Sequence, residues 1–185
     1  MELIKELPAL GRDLGPGLIL IGLTSLAAIL VGCLFEEWET LPWMATATVS
    51  LCGIGLLLRF LPKTSKVPRT STSIAATALV WVIVGLCGSL PFLFTGMSFL
   101  DAAFESMSAW TGTGFSIVAD IESWPKTLLF WRSFMQWVGG LGIVAFTLTV
   151  ATRSGLITRG MYTSESGGQA FMPSVISTAF QMWKI

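Results

Sequence analysis

The sequence contains no histidine and only three cysteines, Cys33, Cys52 and Cys87. The absence of histidine removes the most common general base and the most common metal ligand. Each cysteine is isolated within an apolar run, and their spacing fits neither a zinc motif nor a disulfide framework. We interpret them as small apolar packing residues. Because the apolar runs also lack paired acidic residues, no catalytic constellation can be assembled, and we predict neither an enzyme nor a bound cofactor.

Charged residues are also scarce. They make up 12% of the chain, whereas a soluble domain typically contains about 25%. Hydrophobic residues make up 53%, and the mean hydropathy is +0.75. The formal net charge is +0, so nothing in the composition calls for nucleic acid as a partner. The length and composition together indicate a membrane protein of about one domain.

Four stretches are long and apolar enough to cross a hydrocarbon core of about 30 Å as helices. They cover residues 17–35, 41–58, 73–95 and 126–150. The first two form a two-helix hairpin, and the pattern as a whole predicts an all-α polytopic membrane protein. The whole chain then divides into five parts: an N-terminal segment (1–16), the two-helix hairpin (17–58), a basic linker (59–72), a helical repeat (73–152) and a loop that leads into a further helix (153–185).

Basic residues are divided unevenly between the two sides that these spans define. Nine lie on one side, whereas only Lys126 and Arg132 lie on the other. Because basic loops face the cytoplasm, we predict a cytoplasmic N-terminus, a cytoplasmic linker and an external segment over residues 96–125. The nine inner residues are Lys5, Arg12, Arg59, Lys63, Lys66, Arg69, Arg153, Arg159 and Lys184.

A short helix is predicted between the third and fourth spans, over residues 99–110, with Ser98 as its N-cap and Asp101 in capping-box spacing. At about 18 Å it is too short to cross the membrane, so it must enter and leave through irregular backbone. Residues 111–115, which begin Thr-Gly-Thr-Gly, can supply that backbone. Glycine permits positive φ, and successive carbonyls can then replace the water around a cation. This is the pattern of a re-entrant pore loop.

Three sequence blocks carry a resemblance to a known family: FESMSAWTGTGFS at 104–116, DIESWPK at 120–126, and LFWRSFMQWVGGLGI at 129–143. The first resembles the first pore loop of the TrkH/KtrB/HKT superfamily of potassium uptake subunits, closest to its TrkH branch. The other two resemble the segments that follow that loop. The last block is the most specific, and the resemblance covers essentially the whole chain.

The resemblance implies a protein of four linked repeats of helix, pore loop and helix, preceded by two extra helices. Here residues 17–58 match the extra pair, and residues 73–152 match the first repeat. Because a closed ring of carbonyls needs four loops and this chain holds one, either the chain is a piece of a longer subunit or four copies assemble. The resemblance further implies a homodimer of full-length subunits and a cytoplasmic nucleotide-binding regulatory subunit similar to TrkA or KtrA.

The same resemblance assigns the selectivity filter to Thr111, Gly112, Thr113 and Gly114, whose main-chain oxygens are expected to bind K+, or Na+, during transport. Gly112 stands where many relatives have threonine, so threonine is expected to be tolerated there. Serine at the position of Gly114 accompanies sodium preference in the plant members of the superfamily.

Pore-loop support is expected from Asp101, Glu105 and Arg132. Arg132 lies about 9 Å further along the predicted helix than Lys126, and therefore deeper in the membrane. A charge at that depth is a functional candidate. Two interpretations are open: its side chain reaches outward to the membrane surface, or it pairs with Glu105 or another outer carboxylate and braces the loop.

Gly139, Gly140 and Gly142 follow in the same predicted helix. They either form a gating hinge or allow close packing of helices.

The leading functional hypothesis is Trk-type potassium ion transport across the cell membrane, either passive or coupled to another cation. The alternative is a non-conducting membrane scaffold, or a truncated subunit that keeps the fold without transport.

Overall fold

The computed structural model describes residues 2–61 and 70–153, and within them the regular elements are all helical. This confirms the predicted all-α class. The basic positions between 62 and 69, and the predicted loop and helix from 154 to 185, lie outside the described residues. The α-helices are α1 (Glu2–Thr24), α2 (Leu26–Leu34), α3 (Leu41–Arg59), α4 (Thr70–Ser89), α5 (Phe99–Trp110) and α6 (Lys126–Arg153), with 3₁₀ turns at Trp38–Thr40 and Leu90–Thr95.

Three helical stretches of the described chain are long and apolar enough to cross a membrane, at Leu14–Leu34, Trp38–Arg59 and Ile74–Thr95. The predicted fourth span lies within α6, which is not one of the three. Lys126, Arg132 and Gln136 lower the hydropathy of the N-terminal part of that helix. At 28 residues, or about 42 Å, α6 is nevertheless long enough to cross.

The first predicted span differs from the observed helices at both ends. Its helix begins at Glu2 rather than at residue 17, so the predicted N-terminal segment is part of α1. The helix is then interrupted at Ser25, between α1 and α2. The Ser25 hydroxyl donates to the carbonyl of Gly22 at 2.6 Å, and a hydroxyl that bonds back to its own helix bends it. Ser25 also lies 2.6 Å from the hydroxyl of Thr48 on α3.

Helices α1 and α3 pack closely because small residues face one another. A Cβ placed at Gly15 would lie 2.6 Å from the carbonyl oxygen of Gly55, and one at Gly22 would lie 2.7 Å from Sγ of Cys52. Small residues allow this approach between membrane helices. Just beyond the end of α3, the carbonyl of Leu61 accepts a hydrogen bond from Arg12, in the middle of α1, at 3.2 Å. The hairpin is therefore a packed unit.

The third predicted span, 73–95, is one α-helix only as far as Ser89. It continues as the 3₁₀ turn Leu90–Thr95, which contains Pro91. Proline cannot donate the hydrogen bond that a helix interior requires, which explains the change. The turn ends at Gly96, whose φ is 79°.

Helix α5 lies directly against α4, where two glycines make room for it. The Met107 side chain occupies the space that a Cβ on Gly85 would need, and Nε1 of Trp110 lies in the space that a Cβ on Gly88 would need. Trp131 of α6 donates its Nε1–H to the carbonyl of Gly88 at 3.0 Å, and its ring meets that of Trp110 edge-on with centroids 6.2 Å apart. These contacts fix the short helix between its two neighbours.

The chain divides into two compact units, Met1–Gln136 and Trp137–Ile185. The first holds α1 to α5, the loop after α5 and the first three turns of α6. The second holds the remainder of α6 within the described residues.

Candidate cation site

The helix that leads to the loop has the predicted cap. The N–H of Asp101 donates to Oγ of Ser98 at 3.2 Å, and the Ser98 hydroxyl donates to Oδ2 of Asp101 at 2.8 Å. Helix α5 then runs for 12 residues to Trp110. Because the hydrogen bonds described for its side chain are with Ser98, Asp101 acts at the far end of this helix, about 18 Å from the loop. The expected support role of Asp101 is therefore indirect, through the helix cap.

The sign of φ alternates along the loop backbone. Thr111 has φ −79° and ψ −5°, whereas Gly112 and Gly114 have φ of +71° and +74°. The N–H groups of Thr111, Gly112 and Gly114 donate to the carbonyls at the end of α5, at 2.9, 3.0 and 3.3 Å. All of these loop residues are exposed. These three amides thus point back to the helix.

Of the four predicted ligand oxygens, those of Thr111, Gly112 and Thr113 accept no hydrogen bond from the described residues. The oxygen of Gly114 differs, because Nη2 of Arg132 donates to it at 3.2 Å. An oxygen that already faces a guanidinium is a poor ligand for a cation. The four-oxygen site stays a prediction, in which the oxygen of Gly114 has a competing partner.

Three hydroxyl groups hold this turn against the end of α5. Ser108 Oγ lies 3.1 Å from the hydroxyl of Thr113 and donates to the carbonyl of Phe115 at 2.6 Å. The Thr111 hydroxyl donates to the carbonyl of Met107 at 2.8 Å. Ser108 was not predicted as a site residue. A serine near the end of a short helix, five residues before a threonine, is the signal that sequence reasoning could have used.

Glu105 is fully buried, with a relative exposure of 0%. One carboxylate oxygen accepts from the Ser116 hydroxyl at 2.6 Å and from the N–H of Ile117 at 2.8 Å. The other accepts from Nε of Arg132 at 3.2 Å. A buried carboxylate is costly unless it is paired and hydrogen-bonded, and Glu105 meets both conditions.

Arg132 connects α6 to the loop at three points. Besides its ion pair with Glu105, it donates through Nη2 to the carbonyls of Gly114 and Phe115 at 3.2 and 3.3 Å. Its side chain is 13% exposed. Of the two interpretations left open by the sequence, the structure has the paired arrangement. Because Glu105 neutralises the guanidinium, the pair braces the loop without placing a net positive charge beside the oxygens.

The backbone at Gly112 argues against the expectation that threonine is tolerated there. Its φ of +71° lies in the left-handed region, where a β-branched residue is an outlier. A Cβ at this position would meet no neighbour within 4 Å. The obstacle is therefore the backbone conformation and not a lack of space.

Gly139, Gly140 and Gly142 lie in α6, and the helix continues through them without a break. Gly139 is buried, whereas Gly142 is exposed. Their predicted part in gating or packing stays a prediction.

The family model for TrkH, described as a cation transport protein, matches residues 43–184, which is most of the chain. The chain belongs to the TrkH family of cation transport proteins. The match includes most of α3, and α4, the short helix α5, the loop after it and α6. It confirms the family that the three sequence blocks indicated, and with it the location in the cell membrane.

Two named relatives are similar over nearly all of this chain. An uncharacterized cation transporter of Methanocaldococcus jannaschii is 36% identical over 177 residues, which are 94% of this chain and 37% of that protein. The Trk system potassium uptake protein TrkH of Halomonas elongata is 34% identical over 94% of this chain and 38% of its own length. The chain thus spans a little over a third of these relatives, which are transporters by name.

A solved structure supports the same conclusion about the fold. The crystal structure of the potassium transporter TrkH from Vibrio parahaemolyticus is similar with a TM-score of 0.76 and 28% identity. The similarity covers 97% of this chain and 36% of that protein. It confirms the fold class, in which a helix–pore loop–helix repeat follows two transmembrane helices.

Proposed function

We propose that this chain contributes one pore repeat to a Trk-type K+ uptake protein, and that it acts in transport and not as an enzyme. The repeat is the part from α4 to α6, with the α1–α3 hairpin in front of it. The observation that carries the proposal is the loop at 111–114, where two glycines of positive φ turn the amides toward α5. The oxygens of Thr111, Gly112 and Thr113 are then available as cation ligands.

A carbonyl filter works by surrounding the ion with oxygens that replace its hydration shell. One loop supplies one wall of such a ring, so this chain requires three more walls. They come either from further repeats of the same subunit or from other copies of the chain. The length of the named relatives supports the first arrangement, since each has room for further repeats.

The transported ion is K+, with Na+ as the competing ion, and it moves passively or coupled to another cation. By the same resemblance, full-length subunits form a homodimer, and a cytoplasmic nucleotide-binding regulatory subunit similar to TrkA or KtrA docks on the inner face. The words "Trk system" in the names of several relatives support a transporter with further components.

The test is growth rescue of a potassium-uptake-deficient bacterium under potassium limitation. The chain is expressed alone and, separately, with its natural downstream continuation. Rescue by the chain alone supports an assembly of copies, whereas rescue only by the longer protein supports further repeats. If neither rescues growth although both are present in the membrane, the transport proposal is wrong and the non-conducting scaffold takes its place.

The orientation of the chain gives a separate prediction. We expect Asp120→Cys to react with a membrane-impermeant thiol reagent in intact cells and Lys66→Cys to be protected, because basic loops stay in the cytoplasm. Both variants are made after Cys33, Cys52 and Cys87 have been replaced, so that the introduced thiol is the one measured. Permeabilised cells provide the control, since both positions should then react. Labelling of position 66 and not of position 120 in intact cells would reverse the orientation.

A further inference from the structure

The turn between α2 and α3 fixes the position of one carboxylate, that of Glu37. Glu36 has φ 59°, the N–H of Glu37 donates to the carbonyl of Gly32 at 2.9 Å, and that of Glu36 donates to the carbonyl of Cys33 at 3.4 Å. This pair of hydrogen bonds is a Schellman motif, in which the left-handed residue is normally glycine. The motif fixes the backbone of Glu37, which in turn limits where its side chain can point.

The Glu37 carboxylate binds the beginning of α6, about 90 residues later in the chain. It accepts from the N–H of Lys126 at 2.7 Å, from the N–H of Thr127 at 2.9 Å and from the Thr127 hydroxyl at 2.6 Å. The first amides of a helix have no partner within the helix, and a negative charge is favoured at that end. Glu37 therefore supplies the N-terminal cap of α6 from a different part of the chain.

Two further observations show that this contact is tight. Thr127 is fully buried, and a Cβ at Gly32 would lie 2.8 Å from its hydroxyl oxygen. Partial burial raises the pKa of Glu37, but the hydrogen bonds from Thr127 and Lys126 and the charge of Lys126 outweigh it, so the pKa is lower than usual. The carboxylate is thus charged and held in place at neutral pH.

The capped end of α6 is close to the residue that braces the loop. Arg132 lies five residues after Thr127, about 7.5 Å along the helix. Its hydrogen bonds to Gly114 and Phe115 are 3.2 and 3.3 Å long, near the upper limit of useful hydrogen-bond length. A shift of the outer end of α6 by a fraction of an ångström would therefore weaken them.

We propose that Glu37 is a positioning residue for the pore loop: by fixing the outer end of α6, it sets Arg132 against the carbonyls of Gly114 and Phe115. The hairpin of α1 to α3, which precedes the pore repeat, thereby helps to determine the ion preference of the filter. This proposal rests on the proposed transport function. It assigns the hairpin a part in selectivity, although no residue of the hairpin belongs to the loop.

The principal test compares Glu37→Ala with Glu39→Ala in the form of the protein that rescues growth. Glu39 is an exposed carboxylate of the same outer turn, so its replacement removes the same charge without removing the cap. We expect Glu37→Ala to lower the ratio of rubidium to sodium uptake about fivefold. This is the change in an equilibrium constant that corresponds to the typical free-energy cost of losing a helix N-cap. Glu39→Ala should leave the ratio unchanged, and Glu37→Gln, which keeps an acceptor oxygen, should restore part of it. An unchanged ratio in Glu37→Ala, with normal amounts in the membrane, overturns the proposal.

A second measurement does not depend on transport. Hydrogen–deuterium exchange at residues 114–118 should be about fivefold faster in Glu37→Ala than in Glu39→Ala, because looser support exposes those amides more often. If the unmodified protein transports no ion but this difference is found, the transport function fails and the positioning role stands. Equal exchange in the two variants overturns the positioning role whatever the transport result.

Thr127→Val provides a second test of the same proposal if Glu37→Ala does not fold. It removes one of the three hydrogen bonds at the cap and keeps the shape of the side chain. A smaller shift of the rubidium-to-sodium ratio in the same direction is expected. An unchanged ratio and unchanged exchange in this variant count against the proposal.

The lowered pKa of Glu37 leads to a prediction about stability and pH. A carboxylate whose pKa is lower in the folded state stabilises that state above its unfolded pKa, and this contribution disappears as the pH falls through the folded pKa. We therefore expect Glu37→Gln to lower the thermal unfolding temperature at pH 7. The difference from the unmodified protein should begin to shrink as the pH falls to the ordinary glutamate pKa of about 4.3, and it should disappear below the lowered pKa of Glu37. Thermal unfolding in detergent at several pH values measures this. A difference that stays constant over that range would show that the charge of Glu37 does not stabilise the fold.

Discussion

Arg132→Leu is expected to reduce cation uptake at least tenfold while the protein still inserts into the membrane. The substitution leaves Glu105 fully buried without its cation and removes the donor that holds the carbonyls of Gly114 and Phe115. Removing one partner of a buried pair costs about 3–5 kcal/mol, and 1.4 kcal/mol corresponds to a tenfold change. Insertion should be unaffected or improved, because leucine is more favourable than arginine in a transmembrane helix. Rubidium uptake, normalised to the amount of protein in the membrane, measures the effect.

Two further variants separate the charge from the geometry. Arg132→Lys keeps the positive charge but cannot donate from several fixed positions at once, so it should retain only part of the activity. The double variant Glu105→Gln, Arg132→Leu should reduce cation uptake by less than the combined effects of the two single changes, because no unpaired charge then remains. Normal uptake by Arg132→Leu would mean that the ion pair is dispensable and that the loop holds its shape through Ser108 and the amides alone.

The short helix could be predicted from the sequence because each of its ends has a local signal. Ser98 with Asp101 three residues later indicates the start, and Thr-Gly-Thr-Gly after Trp110 indicates the end; α5 begins and ends at the predicted residues. The partner of Arg132 could not be decided in the same way. Choosing Glu105 depends on where α5 and α6 lie relative to each other, and this is set by the packing of Trp110 and Trp131.

Other features depend on contacts between distant segments. The interruption at Ser25 arises from a single hydroxyl that bonds to Gly22 and reaches Thr48, and the hydropathy of the span gives no sign of it. In the sequence, Glu37 is one of three acidic residues between the first two spans, and its contact with Thr127 is what distinguishes it. The expectation for Gly112 meets a different difficulty. The family pattern indicates which residue types occur at that position, whereas the observed φ of +71° determines which ones this backbone accepts.

Gly114→Ser is expected to lower the uptake of rubidium relative to sodium. The φ of Gly114 is +74°, a conformation that costs an L-residue roughly 1–2 kcal/mol. Rotation to relieve that strain turns the peptide between residues 113 and 114, which carries the oxygen of Thr113. The added Cβ would also lie 3.4 Å from Nε2 of Gln136. Because ion preference depends on how many oxygens surround the ion and how they are presented, turning one oxygen away changes selectivity before it changes the fold.

The control for Gly114→Ser is the same substitution at Gly96, which has φ +79° and no neighbour within 4 Å of its Cβ position. Gly96→Ser carries the same backbone cost at a position that ends the 3₁₀ turn before α5, so it should leave the ratio unchanged. Gly114→Ala has the added Cβ without the hydroxyl, and an effect similar to that of serine would assign the change to the backbone. Competitive uptake of rubidium against sodium measures all three variants. If Gly114→Ser keeps the original ratio at normal protein levels, residues 111–114 are not the selectivity element, and the cation must be recognised elsewhere in the protein.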